Sequence, residues 1–360
     1  MQPIERVNDF VVKFANVNGS GSASANNLFA KAVLRMGVPV AARNIFPSNI
    51  QGMPTWYEVR VVEAGWRGRR GGVDLMVAMN AETWTADVAE IVASANAVVL
   101  YEADDQTPRE EVEPHLGTAE GSRWIPVPST KLAKESAGTA LAKTIVTLGV
   151  MTELFGLPRE GLVQAITKKF SAKKAEVRES NLRGFEAGEA WARDHAQNVA
   201  DKRLQYTPGE PMLLMSGNEL SAVAALHAGC RFFAGYPITP SSEILHFLSE
   251  WMPRVGGYLI QTEDELAAIG AVIGGSFAGV KSMTATSGPG LALMTEMLGL
   301  ASMAEVPAVI IDVQRGGPST GLPTKSEQSD LWQALWGSHG DAPRVVLAPA
   351  DVEDCFHATV

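Results

Sequence analysis

Cysteine is almost missing from this chain. Cys230 and Cys355 are the only two in 360 residues, and they lie far apart. That excludes a disulfide framework, a four-cysteine zinc site and any iron–sulfur cluster held by this chain alone. Positive charge is scarce as well, with 30 Lys and Arg against 40 Asp and Glu and a formal net charge of −10. A nucleic-acid partner needs clustered cations along a phosphate backbone. The single basic cluster, "GWRGRRGG" at 65–72, is short and reads as a solvated turn. No apolar run approaches the roughly 20 residues of a membrane span, and the opening "MQPIERVNDFVVKF" lacks a basic-then-apolar leader pattern. Internal repeats and low-complexity segments are missing too. The expectation is a reduced, cytoplasmic protein with no nucleic-acid and no membrane partner.

What is present is a globular composition, 46% hydrophobic and 19% charged. The length exceeds what one core usually holds, which predicts two domains. In the first half, "FVVKFANV" at 10–17 reads as a buried strand and "LFAKAVLRMG" as an amphipathic helix ended by Gly37. "VPVAARNIFPS", "WYEVRVVEA", "VDLMVAMN" and "ANAVVLYEA" follow as strands, with "TWTADVAEIVASA" and "LAKTIVTLGVMTELFG" as helices. Alternation of this kind predicts an α/β layer structure over 1–165. Residues 166–208 are charged, helix-favouring and poor in large apolar side chains, which predicts a helical linker or arm over the surface. A second α/β domain is expected over 209–360. It opens with a short strand in "PMLLMSGN", then a helix over Glu219–Ala228, strands "RFFAGY", "GGYLIQ", "KSMTATS" and "AEVPAVIIDVQR", and helices in "EDELAAIGAVIGGSFAG" and "GLALMTEMLGLASMA". The final "APADVEDCFHATV" starts as a capped helix and stops without a C-cap, so further protein is expected to follow it.

Several stretches are candidates for chemistry. The turn "NGSGSASAN", with Gly19, Gly21 and Ser24 between a strand and a helix, could present backbone amides to an anion. It lacks the third glycine and the downstream acid of a dinucleotide site, so a nicotinamide role fails and a tight structural turn or subunit contact is the plainer reading. In "GYPITPSSEI" at 235–244, Pro237 and Pro240 fix two φ angles and stiffen the backbone around Ile238 and Thr239 at a strand end. Ligands of α/β sheets bind at such carboxyl ends, although Pro240 with Ser241 and Ser242 could simply start the next helix. "EDE" at 263–265 heads a helix of small residues. Capping explains Glu263 and Asp264, whereas mutual repulsion favours a raised pKa for whichever acid is buried, a property suited to proton exchange. "TATSGPGLALM" is a second strand-to-helix turn with outward-facing amides. "DVQRGGPSTGLPTKSEQSDL" is a long polar loop after an apolar strand, carrying Arg315 and Lys325 where they could bind a carboxylate.

In this order, "GYPITPSSEI", "QTEDELAAIGAVIGGSFAG", "TSGPGLALM" and "QRGGPSTGLPTKSEQSDL" resemble the α subunit of the 2-oxoacid:ferredoxin oxidoreductases, the 2-oxoglutarate branch above all. The first half, with "NGSGSASANNLFAKAVLRMG", is similar to the γ domain that this branch fuses in front. The resemblance implies a γ-type α/β domain followed by a pyrimidine domain of the thiamin diphosphate fold with a mainly parallel sheet. It implies thiamin diphosphate with magnesium, shared with a β subunit, as the cofactor. Glu265 then corresponds to the glutamate that hydrogen-bonds the aminopyrimidine ring. It is preferred to Glu263 because "LAAIGAVIG" follows it. Tyr236, Pro237, Ile238 and Thr239 form the corner beside the cofactor, with Thr239 also near the substrate carboxylate. Arg315 matches the cation for that carboxylate, and Lys325 is expected to bind a second, distal one. No metal ligand is expected in this chain.

Two patterns are missing, a "GDG" followed by asparagine for the magnesium diphosphate and a cysteine set for a cluster. The family places both on the β subunit, with a [4Fe-4S] cluster. The implied reaction is oxidative decarboxylation of 2-oxoglutarate to succinyl-CoA and CO2, with coenzyme A as co-substrate and electrons leaving to ferredoxin, reversibly. The implied assembly is a dimer of αβ heterodimers. The family's α subunits also continue into a further domain, which is expected to be missing from this sequence. Two alternatives stay open: the same chemistry on pyruvate or a branched-chain 2-oxoacid, and a non-catalytic assembly subunit.

Overall fold

The computed structural model describes residues 6–17, 22–45, 54–65, 68, 70–78, 84, 87, 97–103, 122–196, 202–205 and 212–360. The chain divides into two compact units, Met1–Leu214 and Met215–Val360. The first runs β1 (Arg6–Val7), β2 (Asp9–Val17), α1 (Ser22–Arg35), β3 (Val40–Ile45), β4 (Pro54–Val62), β5 (Leu75–Ala78), β6 (Val98–Glu102) and β7 (Arg123–Val127). It continues with α2 (Ser129–Ala137), α3 (Lys143–Phe155), α4 (Arg159–Lys169), α5 (Ala175–His195) and β8 (Lys202–Arg203). Six strands form one sheet in the order β3-β4-β2-β5-β6-β7, while β1 pairs with β8. The strands from β2 to β7 are parallel, and β4 turns antiparallel against both β2 and β3. Central β5 is buried at all four positions, as a strand covered on both faces should be. β7 was not picked out from "RWIPV", because Pro126 breaks the pattern. Proline is tolerated there since β7 lies at the sheet's edge. The helix expected over "TWTADVAEIVASA" lies outside the described residues apart from Trp84 and Asp87. Gly19, Gly21 and the side chain of Ser24 lie outside them as well.

The charged stretch expected as a surface arm is different in the structure. α5 packs into the first unit along α3, with Phe185 and Ala192 in the same core as Phe10, Phe29 and Leu75. Glycine makes the approach possible. A Cβ at Gly188 would sit 2.0 Å from the Val146 carbonyl oxygen, and one at Gly149 would sit 2.1 Å from that of Phe185. Most of its charges occupy the outer faces, as in the Arg193–Glu153 pair at 2.7 Å, while the buried Glu189 is paired with Arg159 at 3.1 Å. An inner stripe built largely from glycine, alanine and small polar residues around Phe185 leaves few large apolar residues for a sequence pattern to register.

The second unit runs α6 (Gly217–His227), β9 (Phe232–Gly235), α7 (Ser242–Trp251), β10 (Tyr258–Gln261), α8 (Glu265–Phe277), β11 (Ser282–Thr286), α9 (Gly288–Met303), β12 (Val309–Asp312), α10 (Leu331–Trp336) and α11 (Val352–Thr359). Its four strands are all parallel, in the order β10-β9-β11-β12. The short strand expected in "PMLLMSGN" is not formed: Leu213 is exposed, and Ser216 caps α6 through a reciprocal box with Glu219. The chain goes from β9 outward to β10, then crosses over β9 to β11. The direction of winding therefore reverses between β9 and β11, where a crevice opens at the carboxyl ends of the strands. One core lies on each face of the sheet, around Phe233, Ile244 and Leu248 on one side and Ile269, Val272 and Met294 on the other. No single helix among the described residues is long and apolar enough to cross a membrane.

Candidate active site

The proline corner follows β9 directly. Ser241 Oγ donates to the Ile238 carbonyl at 3.0 Å, and the Ser242 amide donates to the same oxygen at 3.0 Å. From α6, Asn218 Nδ2 reaches both the Pro240 carbonyl and Glu243 Oε2 at 3.0 Å. The Thr239–Pro240 peptide is cis. Pro237, Ile238 and Thr239 are half-buried and Tyr236 is exposed.

The three acids at the head of α8 separate into three roles. Asp264 is the cap, its carboxylate accepting from the Ala267 amide at 2.8 Å. Glu263 points to solvent, and Glu265, 5% exposed, turns inward. It lies against the start of α9: a Cβ at Gly290 would stand 2.0 Å from Thr286 Oγ1 and 2.8 Å from Glu265 Oε1. Among the described residues no hydrogen-bond donor reaches the Glu265 carboxylate, although it lies within the field of Arg315. A buried carboxylate at a helix start, without a protein donor, can accept from an N–H group of a bound molecule.

Arg315 sits just beyond the end of β12 and is 6% exposed. Its Nη1 donates to the Thr239 carbonyl at 2.8 Å and its Nη2 to the Thr320 carbonyl at 2.7 Å. Nε is buried without an acceptor. Burial lowers the guanidinium pKa, and the Glu265 carboxylate pulls it back up. The tertiary structure thus brings Glu265, Thr239 and Arg315 to one crevice. Lys325 stays apart: its backbone closes the loop, with its carbonyl accepting from the Gly316 amide at 2.8 Å, while the side chain is exposed. Sequence reasoning missed Asn218, Gln314, Asp312 and Asp330. The last two are acids at the end of β12 and before α10. An aspartate closing the apolar run "PAVIID" was the available signal. Among the described residues no group of three or more His, Cys, Asp or Glu side chains could hold a metal ion.

The family model described as pyruvate flavodoxin/ferredoxin oxidoreductase, thiamine diP-binding, matches residues 223–360, and that described as pyruvate ferredoxin/flavodoxin oxidoreductase matches residues 11–191. The 2-oxoglutarate synthase subunit KorA of Methanocaldococcus jannaschii is 56% identical over 146 residues, which are 41% of this chain and 40% of that protein. The 2-oxoglutarate oxidoreductase subunit KorA of Mycobacterium tuberculosis is 33% identical over 387 residues, covering 99% of this chain and 58% of its own length. Among solved structures, the 2-oxoglutarate:ferredoxin oxidoreductase from Magnetococcus marinus with 2-oxoglutarate, coenzyme A and succinyl-CoA bound superposes with a TM-score of 0.88. The identity is 39%, over 98% of this chain and 60% of that one. Matches to these three relatives span 40%, 58% and 60% of their lengths. With family models matched in order to both halves and relatives matched along nearly the whole chain, the chain belongs to the 2-oxoacid:ferredoxin oxidoreductase family.

Proposed function

We propose that this chain is the α subunit, with the γ-type unit in front, of a 2-oxoglutarate:ferredoxin oxidoreductase that works with a β subunit. The overall reaction joins the succinyl group of 2-oxoglutarate to coenzyme A, releases CO2 and passes two electrons to ferredoxin. The observation that carries this reading is the inward Glu265 carboxylate, held against Gly290 with no protein donor and facing the Arg315 crevice. A donor-less buried carboxylate fits an aminopyrimidine, so Glu265 and the corner residues 236–239 would hold that end of thiamin diphosphate. The β subunit would hold the magnesium diphosphate and a [4Fe-4S] cluster.

When bound, the cofactor supplies the electron sink that lets a 2-oxoacid lose CO2. The chain's own residues do the rest of what is assigned here. Glu265 holds or releases a proton at its Oε1, aimed by the packing of α8 on α9. The stiff corner fixes the Thr239 backbone, and Arg315 is aligned by that carbonyl so that the buried Nε–H can meet a substrate carboxylate. Lys325 lies on the same loop with its side chain exposed. Recognition of a distal carboxylate by Lys325 would require the loop to close, and pyruvate stays a measured alternative. The test is coenzyme A-dependent reduction of a viologen dye by the chain copurified with its β subunit. Reduction with 2-oxoglutarate and not pyruvate is expected, and reduction with neither from a complex containing thiamin diphosphate and iron removes the assignment.

A further inference from the structure

The loop between residues 313 and 330 carries Arg315, and both of its ends are held at one place. The Val313 amide donates to the Thr286 carbonyl at 2.9 Å, and Ser287 Oγ donates to the Val313 carbonyl at 2.7 Å. Gln314 Nε2 donates to Asp330 Oδ1 at 2.7 Å, and Ser329 Oγ donates to the Arg315 carbonyl at 3.4 Å. Two carboxyls lie at this base: Asp312, the last residue of β12 and paired with Thr286 in the ladder, and Asp330, 5% exposed just before α10, beside Gly288 and within hydrogen-bonding reach of Asp312. Among the described residues no cation answers them. Arg315 is turned to the Thr239 and Thr320 carbonyls, Lys325 is exposed, and Arg344 donates to the Gln333 and Ala334 carbonyls. Glu327 lies against Gly316, β11 contributes only the neutral Thr284 and Thr286, and α9 contributes Gly288, whose added Cβ would stand 3.3 Å from Asp330 Oδ2.

With both carboxyls ionised, Asp312 Oδ1 and Asp330 Oδ2 are buried acceptors without a donor. Such orphaned oxygens are costly, and two like charges side by side out of water add to the cost. A single proton held between the carboxyls supplies the missing donor to both. Burial first, then the hydrogen bond and charge of Asp330, push the Asp312 carboxyl up to about 8.

We propose that Asp312 and Asp330, sharing one proton, are positioning residues that clasp the two ends of the 313–330 loop and so keep Arg315 on the Thr239 carbonyl. The proposal rests on the reading of Arg315 as the cation for the substrate carboxylate. Closed at neutral pH, the clasp gains a second negative charge in alkaline solution, and repulsion then loosens the loop.

The test uses the chain in complex with its β subunit. Hydrogen exchange is followed at the Gly316, Leu322 and Lys325 amides, whose partners lie within the loop, alongside kcat and KM for 2-oxoglutarate. In the native complex, protection of these amides, corrected for intrinsic rates, should fall about tenfold or more between about pH 7 and about pH 9. Asp312→Asn replaces the shared proton with an amide donor and should keep both protection and KM flat across that range. Asp312→Ala should lose protection at both pH values and raise KM about tenfold with little change in kcat. If the alanine variant fails to fold, the comparison of Asp312→Asn with the native complex decides alone. Native protection that ignores pH, or Asp312→Asn losing protection as the native complex does at high pH, overturns the clasp. A pH-switched loop in a complex that turns over no 2-oxoacid leaves the clasp standing and removes the assigned role of Arg315. Turnover of 2-oxoglutarate with a pH-indifferent loop does the reverse.

Discussion

Glu265 and Asp312 are both acids close to a sheet's carboxyl edge, and their surroundings give them opposite uses. Glu265 has a cation within range and no donor of its own, whereas Asp312 has a second acid for a neighbour. Replacing Glu265 by Gln keeps the shape and removes the proton site. Turnover by the αβ complex should fall at least about a hundredfold, with the thermal midpoint unchanged or raised and thiamin diphosphate still retained on gel filtration. For Asp312 the folded pKa is raised from 3.8 to about 8. The folded state therefore binds the proton more tightly than the unfolded chain does. The stability this contributes is fully present below about pH 4 and is lost as pH rises through about 8. In thermal melts the native protein should lose stability relative to Asp312→Asn as pH rises across that window, and parallel curves would contradict the shared proton. "EDE" announced an acid at a helix head, but which of the three turns inward is set by the crossing of α8 over α9 at Gly290, which the local sequence does not specify.

At the scale of elements, α5 shows where pattern reading stops. Its sequence is charged and nearly free of large apolar residues, and its inner face is nonetheless core because glycines let backbones touch. Gly188→Ala pushes a Cβ to 2.0 Å from the Val146 carbonyl and should destabilise the first unit by about 2 kcal/mol or more. Gly184 is the internal control. Its added Cβ meets nothing nearer than 3.6 Å, so Gly184→Ala should be neutral or stabilising by up to about 1 kcal/mol. Equal effects in denaturant melts would mean that the contact of α3 with α5 is looser than described. In the second unit the strand and helix order was legible, because β9, β10, β11 and β12 each combine a short apolar run with a turn signal on its carboxyl side. The opening strand of that unit was misread, since an apolar "MLLM" without a sheet neighbour has no ladder to join.

For the whole molecule, the proposal makes the crevice one end of a cofactor site and assigns the diphosphate and the cluster to a partner, because the sequence carries neither a "GDG" pattern nor a cysteine set. The chain by itself should give no coenzyme A-dependent viologen reduction, and addition of the β subunit should restore it. Full activity of the isolated chain would end the division of labour proposed here.

The sequence alone determined the α/β class, the order of the strands and helices from β9 to β12, the stiff corner after β9 and the membership implied by four motifs in series. These are properties of short stretches, written in periodicity and in residues with restricted backbones. Only the tertiary structure decided that Glu265 is the inward acid, that α5 is core and that Lys325 faces solvent. It also decided that Arg315 finds the carbonyl of Thr239, 76 residues away in the chain, and that Asp312 meets Asp330. Each of these depends on which distant segment a side chain faces once the chain has crossed over its own sheet, and local pattern carries no record of that encounter.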